Sequence, residues 1–280
     1  MVKVFFLAPI SAHTGLTSIC LGLLRTLDSA GLRVAFFKPI AQSRSAASDE
    51  DRSVVFAQNH LGLEVAPALP LKHALKRMGD NHSDLLMEEI LENFHKGDPS
   101  ADVIIVEGLV DTGHEDYATR LNVEMARTLN AEVILVATPD QMSIEELEES
   151  IHLASRPFES PKEPDVIGCI LNKVCAPANQ DFRVNDTRPE VCRVSFPDFG
   201  QASGLFKQGR MKLIASIPWQ PELVAPRVSD ILGTLDAEVL NAGEIRQRRI
   251  VRVTVCARTL PNMLETLRSG NLIVTPGDRE

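Results

Sequence analysis

The stretch Ala8-Pro9-Ile10-Ser11-Ala12-His13-Thr14-Gly15-Leu16-Thr17-Ser18 decides how this chain is read. It follows an apolar run from Val2 to Leu7 and leads into a segment with helical apolar spacing, so it reads as strand, loop and helix. A phosphate-binding loop opens on one glycine and closes on glycine, lysine and a hydroxyl residue. Its peptide N–H groups cradle phosphates, its lysine neutralises them and its hydroxyl holds Mg²⁺. Here Gly15 and Thr17 keep their places, while Pro9 stands for the opening glycine and Leu16 for the lysine.

The missing charge has a size. A unit-charge pair at about 4 Å and an effective dielectric of about 20 is worth roughly 4 kcal/mol, up to ~1000-fold in affinity. Peptide amides and the helix N-terminus need no particular side chain and survive the change. The loop is therefore expected to bind anions weakly and not to transfer phosphoryl groups efficiently. On the same reasoning, Leu16→Lys is expected to raise ATP affinity by about an order of magnitude or more if the cradle is intact.

With 280 residues the chain has room for one large α/β domain and a smaller unit. Aromatics make up 5% against 44% hydrophobic residues, so the core must be built from Leu, Val, Ile and Ala. A net charge of −9 disfavours nucleic acid and anionic membranes as partners. No apolar run approaches the ~20 residues of a membrane span, and no cleavable leader pattern precedes the first strand, so a cytoplasmic location is expected. Cys20, Cys169, Cys175, Cys192 and Cys256 are odd in number and form no C-x-x-C, which is read as reduced thiols rather than disulfides or zinc ligands.

Outward from the loop, strand-like and helix-like segments alternate. Strands are expected at Val2–Leu7, Leu32–Lys38, Asp102–Gly108, Glu132–Ala137, Val166–Asn172 and Leu213–Ile217. Helices are expected over Thr17–Ala30, Ser83–His95, Tyr117–Leu129 and from an N-cap at Ser143 to Ala154. Gln42–Arg52 reads as a polar loop and Ala176–Gly209 as a long surface excursion. Continuous apolar strands separated by helices indicate a mostly parallel, doubly wound sheet covered on both faces, a three-layer α/β fold. The basic run Arg246, Arg248, Arg249 and Arg252 reads as a solvated linker. A strand (Val251–Ala257), a helix (Pro261–Ser269) and a strand (Asn271–Thr275) follow it. The expected division is 1–241, a linker 242–250, and 251–280.

Together, APISAHTGLTS, KPIAQ, LMEEI, VEGL, LNVEMARTLNAEV, ILNKV, IPW and VCARTLPNMLETLRSGNLIVTPGDR resemble the N-terminal region of long-form bacterial phosphate acetyltransferase. The resemblance implies a dethiobiotin-synthetase-like domain of the P-loop NTPase class with a degenerate loop, then a DRTGG-type middle domain. A C-terminal transacetylase domain would follow, making acetyl phosphate and CoA from acetyl-CoA and phosphate. Gly277-Asp278-Arg279 would be the start of the motif naming the middle domain, leaving 251–280 a partial unit and no catalytic residue in this chain. The implied role is regulation by small metabolites and assembly into homo-oligomers, with the transacetylase domain as covalent partner.

The resemblance also implies site residues. Ser11, His13, Thr14, Gly15, Thr17 and Ser18 would form the nucleotide or phosphate loop, with Lys38 beside it and Asn172 near the base. Thr17, Asp49, Asp51 and Glu107 would hold Mg²⁺, with a weakly bound nucleotide as the other possible cofactor. Each has a plainer reading. Lys38 at a strand end is either a site cation or a surface lysine, and Glu107 either a metal ligand or an acceptor of backbone N–H groups. Asp49 and Asp51 read more simply as solvated loop acids, and Asn172 as a turn cap. His13 reads more simply as an exposed loop histidine, and Trp219 as packing. His60 and His152 lack ligand spacing. Lys38, Glu107 and Asn172 also motivate a second function, an ATP-dependent carboxylate ligase of the dethiobiotin synthetase or cobyrinic acid diamide synthase type. A partition-type ATPase switch shares the expected fold but needs the lysines that the loop lacks.

Overall fold

The computed structural model describes residues 2–42, 51–111, 117–140, 142–159, 166–176, 203–207, 211–235, 237–256 and 269–276. They fall into two compact units, one running to Cys175 and resuming through Pro218, the other taking up from Trp219. The first unit is built on six parallel strands: β1 (Lys3–Pro9), β2 (Val34–Phe37), β5 (Val103–Glu107), β6 (Glu132–Ala137), β7 (Val166–Val174) and β8 (Lys212–Pro218). Their order across the sheet is β2-β5-β1-β6-β7-β8. Two-residue strands β3 (Ile40–Ala41) and β4 (Leu69–Pro70) pair separately.

Helices cover both faces. α1 (Leu16–Ser29) and α2 (Arg52–Leu61) share one apolar cluster with Leu7, Phe36, Ile105, Ile134, Val136 and Ile170. The opposite face meets α3 (Leu71–Gly79), α4 (Ser83–Phe94), α5 (Tyr117–Thr128) and α6 (Ile144–Ser155). The residues buried there include Phe6, Phe37, Val106, Leu121, Met125, Leu135 and Leu171. Strand residues point alternately to the two faces, which is why Phe36 and Phe37 enter different clusters. The doubly wound, parallel architecture read from the sequence is thus the observed one.

Local boundaries follow local chemistry. Gly31 leaves α1 at φ +86°, and Ser143 closes a capping box with Glu146 at the start of α6. Two helices were not expected. α2 begins inside the stretch read as a polar loop, because Asp51 caps it by accepting from the Ser53 N–H. α3 lies in sequence that carried no assignment, although Leu71, Leu75 and Met78 repeat at helical spacing.

In the second unit, β9 (Arg252–Val255) and β10 (Asn271–Val274) form a parallel pair. The helix expected over 261–269 lies outside the described residues except for its last position. In the basic run expected as a solvated linker, Arg246, Arg248 and Arg252 are exposed, and the backbone around it makes local hydrogen bonds. The Val228 and Ser229 N–H groups donate to Arg248 and Ile245, the Ile250 N–H donates to Pro226, and Ile250 is buried. The Arg249 guanidinium donates to the carbonyls of Leu223 (3.1 Å) and Ala225 (2.9 Å), so this one arginine of the run binds nearby backbone.

Cys20 and Cys169 are buried free thiols, but Cys175 is disulfide-bonded, against the expectation of reduced thiols throughout. Burial pushes Cys169 up to about 12. At Cys20, burial first and the Glu107 charge second push the thiol well above its ordinary value, so both are poor nucleophiles. Among the described residues no helix is long and apolar enough to cross a membrane.

Gly108 closes β5 where only hydrogen fits. A Cβ there would lie 2.8 Å from the Leu7 carbonyl oxygen and 2.9 Å from the Phe6 ring, whereas one at Gly22 on α1 would meet nothing within 4 Å. Gly108→Ala should therefore cost about 1–3 kcal/mol, and Gly22→Ala should add up to about 1 kcal/mol. Urea unfolding of the two variants measures both signs.

Candidate functional site

The site forms where the parallel strands end, and strand parity builds it. Lys38 is two residues beyond Phe36, Glu107 two beyond Ile105, Thr138 two beyond Val136 and Asn172 two beyond Ile170. Those four apolar residues share the α1-side cluster, so alternation brings all four polar residues to that face. The sheet register sets Glu107 beside Leu7, and Phe37 beside Val106. The N-terminus of α1, with its loop, lies over them.

Lys38 is 2% exposed, which removes the surface-lysine reading. Its ammonium donates to Glu107 Oε1 at 3.1 Å and to the Gly108 carbonyl at 2.9 Å. Thr17 Oγ1 donates to the same Glu107 oxygen at 2.9 Å. Glu107 therefore accepts from two side chains, and not from the backbone as its plainer reading had it. Three expected residues from three separate elements thus meet in one buried contact.

Asp51 is also buried, so the solvated reading fails there. Its carboxylate accepts from the Gln42 N–H (2.8 Å), the Ser53 N–H (2.9 Å) and the Ser53 hydroxyl (2.6 Å). Burial pulls its pKa up, but the Lys38 charge and these hydrogen bonds outweigh it and hold the carboxyl below its ordinary value. Asp49 lies outside the described residues.

The loop itself is held from β7. Asn172 Nδ2 donates to the Thr14 carbonyl and Lys173 Nζ to the His13 carbonyl, each at 2.7 Å. Gly15 caps α1 in the left-handed region at φ +76°, and a Cβ there would sit 2.7 Å from Asn172 Nδ2. His13 is exposed at φ +64°. Ser18 is exposed, and the Ser11 hydroxyl reaches only the Ala12 carbonyl. Apart from the turn over Ala12 and His13, the peptide N–H groups from Ser11 to Ser18 make no hydrogen bond to the described residues. Three buried oxygens at this edge also lack partners: Thr14 Oγ1, Glu107 Oε2 and Thr138 Oγ1. Buried polar atoms are normally paired, so this edge has hydrogen-bonding capacity left for a ligand.

Leu16 is 3% exposed and packs in the apolar cluster with Leu7, Cys20 and Ile105. The gain expected of Leu16→Lys overlooked this burial: an ammonium placed here would enter an apolar core before reaching any anion.

Sequence reading missed three positions. Asn122 makes a two-way bond with the Leu109 backbone (2.7 and 2.9 Å), and Gln42 does the same with Val110 (2.8 Å both ways). Both amides fix the chain just after Glu107. The signal for Asn122 was a polar residue on the buried face of α5, between Leu121 and Met125. Lys173 gave no signal beyond its place next to Asn172.

The metal set expected from the resemblance fits Mg²⁺ poorly. Both Asp51 oxygens accept hydrogen bonds, and Glu107 Oε1 accepts from Lys38 and Thr17. Among the described residues no group of three or more His, Cys, Asp or Glu could hold a metal ion. A divalent ion about 4 Å from the Lys38 ammonium would meet a repulsion of about 8 kcal/mol at an effective dielectric of about 20.

Removing one partner of the buried pair should be costly. Lys38→Met is expected to lose about 3–5 kcal/mol, and Lys38→Met/Glu107→Gln to recover much of that loss. Denaturant midpoints of the single and double variants check this coupling. Asp51→Asn should cost about 1–3 kcal/mol at neutral pH, because its amide can keep the cap to Ser53 but leaves the Gln42 N–H without an acceptor. Because the folded carboxyl is depressed, its contribution is complete above the unfolded value of about 3.9 and disappears as pH falls through the lower folded value. Unfolding curves of wild type and variant should therefore converge in acid.

The chain was compared with known proteins. Residues 3–227 match the AAA domain family and residues 230–280 the DRTGG domain. Phosphate acetyltransferase of Pseudomonas putida is 41% identical over 283 residues, covering 100% of this chain and 38% of the relative. That of Pseudomonas aeruginosa is 41% identical over 276 residues (99% and 38%), and that of Salmonella typhimurium 36% over 286 residues (100% and 40%). The chain thus spans about two fifths of the length of these relatives, and the match is to their N-terminal part.

Proposed function

Because this chain belongs to the AAA domain family and carries a DRTGG domain behind it, we propose that it is the regulatory and assembly region of a phosphate acetyltransferase. The transacetylase reaction, acetyl-CoA and phosphate to acetyl phosphate and CoA, then belongs to a catalytic domain that this chain does not contain. The observation that carries the reading is the match along the whole chain to relatives of that name, of which it makes up two fifths. We set the start of the DRTGG unit near residue 230, ahead of the basic run, because 242–250 hydrogen-bonds to 226–229.

The ligand of this region is a small anion at the α1 loop, an effector and not a substrate for phosphoryl transfer. Unpaired amides from Ser11 to Ser18 supply donors, and the α1 N-terminus supplies partial positive charge. Lys173, 2.7 Å from the His13 carbonyl, supplies the ammonium that Leu16 does not. Asn172 holds the loop carbonyl of Thr14, so its role is to shape the cradle and not to read a base. The region assembles as a homo-oligomer, through which effector binding reaches the catalytic domains.

Isothermal titration with ATP, ADP, NADH and pyruvate tests the site. At least one should bind weakly without phosphate release, and Lys173→Met should weaken it by about tenfold or less, as for a partly exposed charge. Micromolar ATP affinity with steady turnover would restore the carboxylate-ligase reading. Light scattering coupled to gel filtration tests the oligomer, and a monomer would remove the assembly role.

A further inference from the structure

The buried cluster under α1 has the acid and the hydroxyl of a Mg²⁺ site, and it also has a cation of its own. Lys38 Nζ is 3.1 Å from Glu107 Oε1, the oxygen that Thr17 also touches at 2.9 Å. The same ammonium is anchored at 2.9 Å to the Gly108 carbonyl. That carbonyl is fixed in turn, because Asn122 pins Leu109 and Gln42 pins Val110 immediately afterwards. Lys38 is 2% exposed and Glu107 3%, so neither reaches solvent to exchange partners. The second acid of the set, Asp51, spends its two oxygens on backbone and hydroxyl donors, and it adds its negative charge to the same neighbourhood of Lys38.

We propose that Lys38 is the resident cation of this site, occupying the electrostatic place of a divalent ion, so that the loop takes its anion without a metal. The proposal rests on reading the loop as the ligand site and deepens it: the ligand is a free anion and not a metal–nucleotide complex. A divalent ion needs carboxylate oxygens freed of competing donors and keeps several waters around it. Here a fixed ammonium already neutralises the carboxylate beneath the helix N-terminus, and a doubly charged neighbour would be repelled by it. Glu107 Oε2 is buried without a partner among the described residues. It is the oxygen through which a metal would enter once Lys38 is removed.

Titration with Mn²⁺ alone, followed by its electron paramagnetic resonance, tests this without any anion. Wild type and Glu107→Gln should bind the same number of Mn²⁺ ions. Lys38→Gln, which keeps a donor toward Gly108, should gain one further ion with at least about tenfold higher affinity than wild type shows at this site. If Lys38→Gln is unfolded by circular dichroism, Lys38→Met takes its place in the same titration. An extra ion in wild type that Glu107→Gln loses would overturn the proposal, as would a folded Lys38 variant that gains none. Because no anion is present, failure here is distinct from failure of the loop to bind one.

Discussion

A buried ammonium and carboxylate 3.1 Å apart organise the carboxyl edge of the sheet. Neither charge can be left alone in that environment without a penalty of several kcal/mol, so the ends of β2 and β5 must be paired in the folded chain. The constraint then spreads along the backbone. Lys38 holds Gly108, Asn122 holds Leu109 and Gln42 holds Val110. Three short motifs, KPIAQ, VEGL and LNVEMA, are thereby parts of one polar network and not independent signatures.

The α1 loop stands apart from that network in what it leaves unused. Its carbonyls are tied to Asn172 and Lys173, while its amides, apart from the turn over Ala12 and His13, make no hydrogen bond to the described residues. Leu16 converts the position of a phosphate-neutralising lysine into core, sealing the apolar layer between α1 and the sheet. Packing gained there is charge lost from the cradle. The loop keeps its amide donors and lacks, at position 16, the cation that phosphoryl transfer requires.

Much of the first unit could be read in advance. β6 spans Glu132–Ala137 as expected, and Ser143 closes its capping box. Apolar runs and caps are local signals. What escaped was non-local or was masked by polarity. α2 lay unseen because its capping acid sat among serines and acids that read as loop. Asp51 looked solvated for the same reason, yet its carboxylate is satisfied by the backbone of Gln42 and Ser53. Arg249 looked like one more solvated charge because sequence does not show that Leu223 and Ala225 present carbonyls to it.

The sequence by itself determined the parallel α/β architecture, the loss of the loop lysine at Leu16 and the candidacy of Thr17, Lys38 and Glu107. The first two follow from residue type and from periods of two and 3.6 along the chain, and the third from the family resemblance together with the placing of Lys38 and Glu107 at strand ends. Only the tertiary structure decided that those three side chains touch and that Lys38 is buried as a cation. It alone also decided that Lys173 and Asn172 reach back to the loop. The reason is physical: partners 69, 90, 158 and 160 residues apart meet only through strand order and register, and those are fixed by burying both sheet faces at once.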